Sequence, residues 1–465
     1  MNTSLARTGT NYRAWLEMPD LLPDPGQATT FHFLGHQFDP ATGIARLNYR
    51  FDNGPVLTET YTFPHQPWPQ EPGRQRALTR AFDLLHLIAG ISYYKAGVQT
   101  QLHIDYCNPG AEMESVLRNL YSRGLAEFAW TNQVQLPAAP EFVCTHEPAV
   151  YEAPELRLQG RVLLALGGGK DSLVSVELLR RTGLEIMLAC SGNSPLIATT
   201  ARVAGLPLLA IGRSLAPELA RYNKQGALNG HVPVTAINSA LLVCAALLYG
   251  FDSVVFSNES SASAANLFDE GGNEINHQYS KSIEFEALFR SLVHGYISPE
   301  INYYSLMRPY SELAILGMFS GFPKYHGVFS SCNRNFHQDG PHIEGNWCGS
   351  CPKCLFTYLG LSVFMARDEL EQIFGVDLLS DPDLTDKFAA LCGLGQHKPF
   401  ECVGEIEESR AAVIHLNEKG TDSPVINTLA TALANISTEP VESCLQVGAE
   451  HFIPPEIWEE ISAAG

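Results

Sequence analysis

One ten-residue stretch limits the possible folds of this chain more than any other: Leu163-Leu-Ala-Leu-Gly-Gly-Gly-Lys-Asp-Ser172. A short apolar run meets three glycines and then a helical pattern, Asp171–Thr182, which Gly183 ends. Strand, glycine turn and helix make the opening unit of a parallel sheet, because a strand buried on both faces returns over the sheet through a helix. The rhythm continues downstream of the strand Arg161–Leu166. Strands are expected at Leu184–Ala189, Leu206–Ile211 and Ser253–Phe256, with a long apolar helix at Thr235–Tyr249 closed by Gly250. Residues 156–364 are therefore expected to be an α/β domain built on a doubly wound parallel sheet.

The flanking regions read differently. Between Thr29 and Pro64 three segments alternate apolar and polar residues, and Asp-Asn-Gly-Pro at 52–55 supplies a turn, so a β-meander is expected. Helical patterns follow at Arg76–Lys95 and Glu112–Gly124. The proline-containing run from Gln135, with Pro148 and Pro154 beyond it, reads as a linker, with a boundary near residue 155. This gives an N-terminal β-rich α+β domain, 1–155, related to substrate. Residues 365–465 read mainly helical, at Arg367–Phe374, Thr385–Leu391 and Asn427–Ile436.

Charge narrows the class of function. Fifty acidic residues against 30 basic ones give a net charge of −20, which argues against nucleic acid and anionic membrane surfaces as partners. The first residues lack the apolar core of an export signal. The most apolar stretch, Ala240–Leu248, falls far short of the roughly 20 residues needed to span a bilayer. A cytoplasmic enzyme or small-ligand binder is expected. Of eleven cysteines, Cys107, Cys144, Cys190, Cys244, Cys392, Cys402 and Cys444 sit among apolar or mixed neighbours and read as reduced core thiols.

Three groups of residues carry chemistry. The glycines let backbone amides close around an anion at a helix N-terminus, although their spacing fits neither the Walker pattern nor the dinucleotide fingerprint. A plain glycine turn is the structural alternative. Cys332 and Cys348-Gly-Ser-Cys351-Pro-Lys-Cys354 have the spacing of a metal knuckle. Four sulfurs suit tetrahedral zinc, the last three also suit an iron–sulfur cluster, and metal-free thiols are the third reading. The third group is dispersed. His231 and Asn238 precede or open the long helix, where they would face the crevice beyond the strand ends, and Thr235 reads as a helix cap. Asn258 and Glu259 follow a strand at its carboxyl end. His277, Tyr279 and Lys281 lie in a segment rich in proton-carrying groups, and Arg308, Lys324 and Arg334 are candidates to clamp carboxylate or phosphate.

Gly167–Ser172 resembles the PP-loop of the ATP pyrophosphatases, usually Ser-Gly-Gly-x-Asp-Ser, with Gly167 in place of the serine. The resemblance implies a PP-loop fold over 156–364 and cleavage of ATP to AMP and diphosphate. Gly167, Gly168, Gly169, Asp171 and Ser172 would hold the diphosphate side with Mg²⁺, and Ala165–Leu166 and Ala189–Ser191 would flank the adenosine. The cysteine group is similar to the zinc site of PP-loop synthases of the 7-cyano-7-deazaguanine precursor. Taken together, the motifs look like those of a bacterial family of ATP-dependent epimerases. These invert the terminal L-glutamate of UDP-N-acetylmuramoyl-L-alanyl-L-glutamate, in peptidoglycan biosynthesis and hence in cell-wall biogenesis and cell shape. That likeness implies an isomerase that adenylates a carboxylate, with ATP, Mg²⁺ and structural zinc, acting on a UDP-linked muramoyl dipeptide. Lys170 and Asp171 would serve the ATP step, Ser191 and His231 the nucleotide, and Asn258, Glu259, Arg308 and Arg334 the substrate. His277, Tyr279 and Lys281 would move the proton, with Cys332 a further candidate if it binds no metal. The competing expectations are a PP-loop synthase or thiolase that modifies a nucleobase, and a nucleotide-binding module without turnover.

Overall fold

The computed structural model describes residues 21–137, 140–147, 152–158, 160–269, 271–335, 345–395 and 399–462. The start of the chain, residues 138 and 139 of the linker, and Pro148 lie outside the described residues. The meander forms where its alternation placed it. Thr30–Asp39 (β1), Ile44–Phe51 (β2) and Leu57–Thr62 (β3) pair antiparallel in chain order and bury Phe31, Phe33, Leu47, Tyr49, Leu57 and Tyr61 on one face. Two short strands not foreseen, Gln101–Ile104 (β4) and Glu141–Cys144 (β5), extend it in parallel beyond β1. The expected helix Arg76–Lys95 is two helices, Pro72–Ala89 and Ile91–Tyr94, meeting at Gly90. A Cβ at Gly90 would lie 2.4 Å from Phe33 Cε1, so the backbone packs directly on the meander there.

The parallel half comprises Arg161–Ala165 (β6), Glu185–Ser191 (β7), Leu208–Ser214 (β8) and Ser253–Phe256 (β9). After a two-stranded ribbon, Leu267–Phe268 (β10) with Glu274–Ile275 (β11), comes a further parallel strand, Asn302–Ser305 (β12). Its spatial order is β12-β9-β6-β7-β8. The chain moves outward through β7 and β8, then crosses back to β9 on the other side of β6. Ligands of doubly wound sheets bind at such a reversal, beyond the carboxyl ends of the strands.

Both faces of these strands are buried, which explains their unbroken apolar runs. Leu163, Ala189, Val254 and Tyr303 face a core closed by the helices Pro72–Ala89, Val234–Tyr249 and Ile283–Leu292. Val162, Leu164, Leu188, Val255 and Tyr304 face the opposite core. That core is closed by Lys170–Leu179, Glu312–Ser320, Pro352–Leu361 and the C-terminal helices. Arg367–Phe374 and Thr385–Leu391 appear as expected, the third helix forms as Pro424–Leu433, and Ile406–Glu418 and Pro455–Ser462 are additional. Among the described residues no helix is long and apolar enough to cross a membrane.

The two halves share one ten-stranded sheet, because β3 pairs antiparallel with β8 over Thr60–Ser214, Tyr61–Arg213 and Thr62–Gly212. Beside this short seam Glu59 is fully buried. Arg213 Nε donates to Glu59 Oε1 at 2.7 Å, Tyr61 OH donates to the same oxygen at 2.6 Å, and a second Arg213 nitrogen donates to Ser92 Oγ at 3.2 Å. Arg213→Met leaves that carboxylate buried without its cation and is expected to destabilise the fold by about 3–5 kcal/mol, read from the denaturant midpoint. Adding Glu59→Gln should recover part of the loss. An unchanged midpoint in Arg213→Met would mean that strand pairing alone holds the seam.

Candidate active site

A cavity of ≈ 360 Å³ lies beyond the carboxyl ends of β6, β7 and β9. Its floor is the glycine turn between β6 and the helix Lys170–Leu179. Gly168 sits at φ +79°, and a Cβ there would lie 2.5 Å from Leu196 Cδ2, so only glycine fits. The Gly168 carbonyl accepts a hydrogen bond from Ser330 N at 3.2 Å, and a Cβ at Gly169 would lie 3.2 Å from Ser331 Oγ. A side chain at Gly167 would meet nothing within 4 Å, so the departure from serine leaves open space, not a clash. Asp171, Ser172, Ser191, Asn238, Asn258 and Glu259 also line this cavity. Asn238 Oδ1 is a buried acceptor there without a hydrogen-bond partner.

Three lysines, Lys170, Lys281 and Lys353, give this acidic protein a locally cationic pocket. Lys170 is 4% exposed; its ammonium donates to Asp171 Oδ1 at 2.6 Å and pairs with Glu312. Burial opposes that charge, but the two carboxylates outweigh it and hold Lys170 above the ordinary lysine range. Asp171, Glu259 and Glu312 together form an acidic wall that could hold a divalent cation against phosphate oxygens.

A second cavity, ≈ 570 Å³, is lined by Gly230–Val232, Val234, Thr235, His277, Gln278, Ser280, Lys281 and Cys402. It shares Thr235, Lys281 and Cys402 with the first. His277 Nδ1 pairs with Glu127, which the N-terminal half contributes; His231 Nδ1 is 3.5 Å from the same carboxylate, and the two rings are 4.4 Å apart. The histidines shift in opposite directions. Burial opposes the His277 charge, yet Cys402 and Glu127 raise it to about 9; burial and the adjacent His277 push His231 down to about 4. Lys281 Nζ donates to Cys402 Sγ at 3.0 Å and to Gln278 Oε1 at 3.2 Å. Burial disfavours a thiolate at Cys402, but Lys281, Lys353 and His277 bring it down to about 6. Cys402 is a free thiol, as expected, but it lies half-buried among cations where two cavities meet and not in the core.

The structure spreads the remaining sequence candidates. Lys281 lines both cavities, whereas His277 and His231 line only the second. Tyr279 is 2% exposed and lines neither; it packs on Phe285 beneath the Arg123 guanidinium. Arg308 is also buried away from both. It pairs with Glu286 at 2.8 Å and donates to the carbonyls of Glu259 and Lys281, so it fixes the site from behind. Arg334 is exposed, and Lys324 pairs with Glu177 at 3.0 Å.

Cys332, Cys348, Cys351 and Cys354 do converge. Neighbouring sulfurs lie 3.4, 3.7 and 4.0 Å apart, against an edge of about 3.8 Å for a tetrahedron of sulfurs 2.3 Å from zinc. Cys351 caps the helix that carries Lys353 and Phe356 to the first cavity, and Cys332 follows Ser330 and Ser331.

Sequence reading missed Glu127, Glu312, Lys353 and Cys402. Glu312 looks like an ordinary acidic residue in a first helical turn, and Lys353 like a spacer between cysteines. Nothing local to Cys402 reveals the cations that tertiary folding brings to it.

Comparison with known proteins agrees along the chain. Residues 23–306 match the family model described as the MurL N-terminal domain, and residues 328–443 the one described as the MurL C-terminal domain. The UDP-N-acetyl-alpha-D-muramoyl-L-alanyl-L-glutamate epimerase of Xanthomonas oryzae pv. oryzae is 44% identical over 445 residues, 95% of this chain and 98% of that protein. The epimerase of the same name from Salinispora tropica is 38% identical over 91% of this chain and 93% of its own length. That from a Micromonospora strain is 38% identical, with 91% and 96% covered.

The electrostatics can be tested without substrate. Brief iodoacetamide treatment at pH 7, mapped by mass spectrometry, should label Cys402 ahead of Cys107 and Cys392, which burial pushes up to about 12. Lys281→Met should raise the pH of half-maximal Cys402 labelling by about one unit. No change would mean that the lysine does not set the thiolate.

Proposed function

The chain belongs to the MurL family, and on that footing we propose that it inverts the terminal L-glutamate of UDP-N-acetyl-α-D-muramoyl-L-alanyl-L-glutamate while cleaving ATP to AMP and diphosphate. The observation that carries this reading is the pair of joined cavities. One is a cationic glycine-turn pocket suited to a nucleotide, and the other is an adjoining chamber bearing His231, His277, Gln278 and Lys281, suited to part of a sugar-nucleotide peptide.

Breaking the α C–H bond beside an ionised carboxylate would build a second negative charge next to the first. Adenylation removes that obstacle, because it converts the carboxylate into an uncharged acyl carbonyl that can delocalise the developing carbanion. In this reading the amides of Gly167–Gly169 and the ammonium of Lys170 receive the phosphates. Asp171, backed by Glu259 and Glu312, would hold Mg²⁺, which when bound supplies charge neutralisation to the leaving diphosphate. The crevice near Ala189–Ser191 takes the adenosine, and Asn258 orients ligand from the end of β9. Proton removal, return from the opposite face and hydrolysis of the adenylate complete the inversion.

The four cysteines we assign to a structural zinc. Their sulfur spacing supports a single tetrahedral ion, and a closed site of four thiolates staples the Ser330–Ser331 turn and the Lys353 helix to the nucleotide pocket. All eleven cysteines are free, in keeping with the cytoplasmic setting we propose.

With the dipeptide substrate, ATP and Mg²⁺, the protein should form AMP and the D-glutamyl product, with deuterium at the α-carbon in D₂O. Asp171→Ala should lower AMP formation at least about 100-fold in a folded protein. Normal AMP formation in that variant would remove the loop assignment, and AMP formed only with a nucleobase precursor would transfer the protein to that substrate class. Protein purified without added metal should carry about one zinc per chain, and Cys351→Ser should lose both the metal and thermal stability. Less than about half an equivalent would favour metal-free thiols.

A further inference from the structure

We propose that Cys402 is a catalytic residue, the group whose sulfur takes the α-proton of the activated glutamyl residue; this rests on the function proposed above. The argument is first geometric. If the nucleotide occupies the glycine-turn cavity and the muramoyl peptide the other, the acyl–phosphate bond that joins them must cross the junction. The α-carbon lies one bond from the acyl carbon, so it reacts at that junction too. Among the described residues, only Thr235, Lys281 and Cys402 line both cavities.

Protonation state then separates the three. The Thr235 hydroxyl is far too weak a base. Burial works against the Lys281 ammonium, but Cys402 and Glu259 hold it protonated, so it has no lone pair to offer. His277 is charged through Cys402 and Glu127, and Tyr279 reaches neither cavity. His231, pushed down to about 4, is neutral but lines the second cavity and not the junction. Of the three junction residues, Cys402 presents the available electron pair. It faces Lys281 from the turn Tyr279–Lys281, His277 just before that turn, and Lys353 from the helix Pro352–Leu361, with Asp171 and Glu259 on the wall of the first cavity. The half-buried sulfur is therefore kept anionic while remaining open to both chambers.

The step balances without an added reagent. A lone pair on Sγ forms the S–H bond as the Cα–H bond breaks, and the released pair moves into the acyl carbonyl as an enolate beside the Lys281 ammonium. A proton then returns to the opposite face from a solvent-exchanging acid, for which the second chamber offers the charged His277. The thiol yields its proton to solvent and the thiolate is restored.

The full-length Cys402→Ala and Cys402→Ser variants, given UDP-N-acetylmuramoyl-L-alanyl-L-glutamate, ATP and Mg²⁺ in D₂O, provide the test. Deuterium incorporation and D-glutamyl product should fall at least about 100-fold, while dipeptide-dependent activation, trapped by hydroxylamine as the hydroxamate, persists. Exchange within about threefold of wild type in both variants would overturn the proposal. So would a parallel fall in activation and exchange, because that is the signature of a structural role. Selective alkylation of Cys402 in the wild-type protein gives a second measurement that needs no variant to fold. Exchange should fall in proportion to the modified fraction, and an alkylated enzyme that still exchanges would overturn the proposal. A wild-type protein that activates no dipeptide removes the proposed function and this step together. Intact wild-type epimerisation with unaffected variants removes only Cys402.

Discussion

The buried Glu59–Arg213 pair joins two sheets that would each otherwise end in an open edge. An unpaired edge strand is a liability, and here β3 and β8 cover one another through only three residue pairs. A carboxylate that is fully buried tolerates no loss of its cation, so the seam is pinned in one register. The consequence reaches the site. The N-terminal half carries Glu127, and its union with the parallel half, through the seam and the packing of Pro72–Ala89 on Val234–Tyr249, brings that carboxylate against His231 and His277 in the second chamber.

From that frame follows an unusual distribution of charge. A chain with a net charge of −20 lines its glycine-turn cavity with three lysines, two of which are held by internal partners. Lys170 lies between Asp171 and Glu312, and Lys281 lies against Cys402. Pairing fixes the ammonium positions in the folded chain, which would reduce the reorganisation that an anionic ligand must induce. Lys281, Lys353 and His277 lower the Cys402 thiol, and Cys402 together with Glu127 keeps His277 charged. A thiol pushed down and an imidazole pushed up in one chamber are thus produced by a single cluster of mutual contacts. The four-cysteine knuckle contributes from the other side, since Lys353 and the Ser330–Ser331 turn are held by the segments that carry the thiols.

Much of the frame was legible in the chain, and for identifiable reasons. The alternation of Thr30–Thr62 marks a sheet with one face in a core, and the unbroken runs of β6, β7 and β9 mark strands covered on both sides. β12 went unseen because Asn302-Tyr-Tyr-Ser305 is four residues long and polar at both ends; its neighbours, not its pattern, make it a strand. Arg308 shows the limit most clearly. By type and setting it resembles an anion clamp, yet Glu286 and two backbone carbonyls occupy its guanidinium, and nothing in the local sequence marks Glu286 as its partner.

By itself, then, the sequence determined the α/β class, the glycine turn at the head of a helix, and the convergence of Cys348, Cys351 and Cys354. Each of these rests on residues a few positions apart, where spacing alone sets geometry. Only the tertiary structure decided that the two halves form one sheet, that Glu312 and Lys353 line the glycine-turn cavity, and that Cys402 lies between Lys281 and His277. Those outcomes depend on side chains more than 100 residues apart in the chain, and the burial and charge that give Cys402 its reactivity exist only after folding has brought them together.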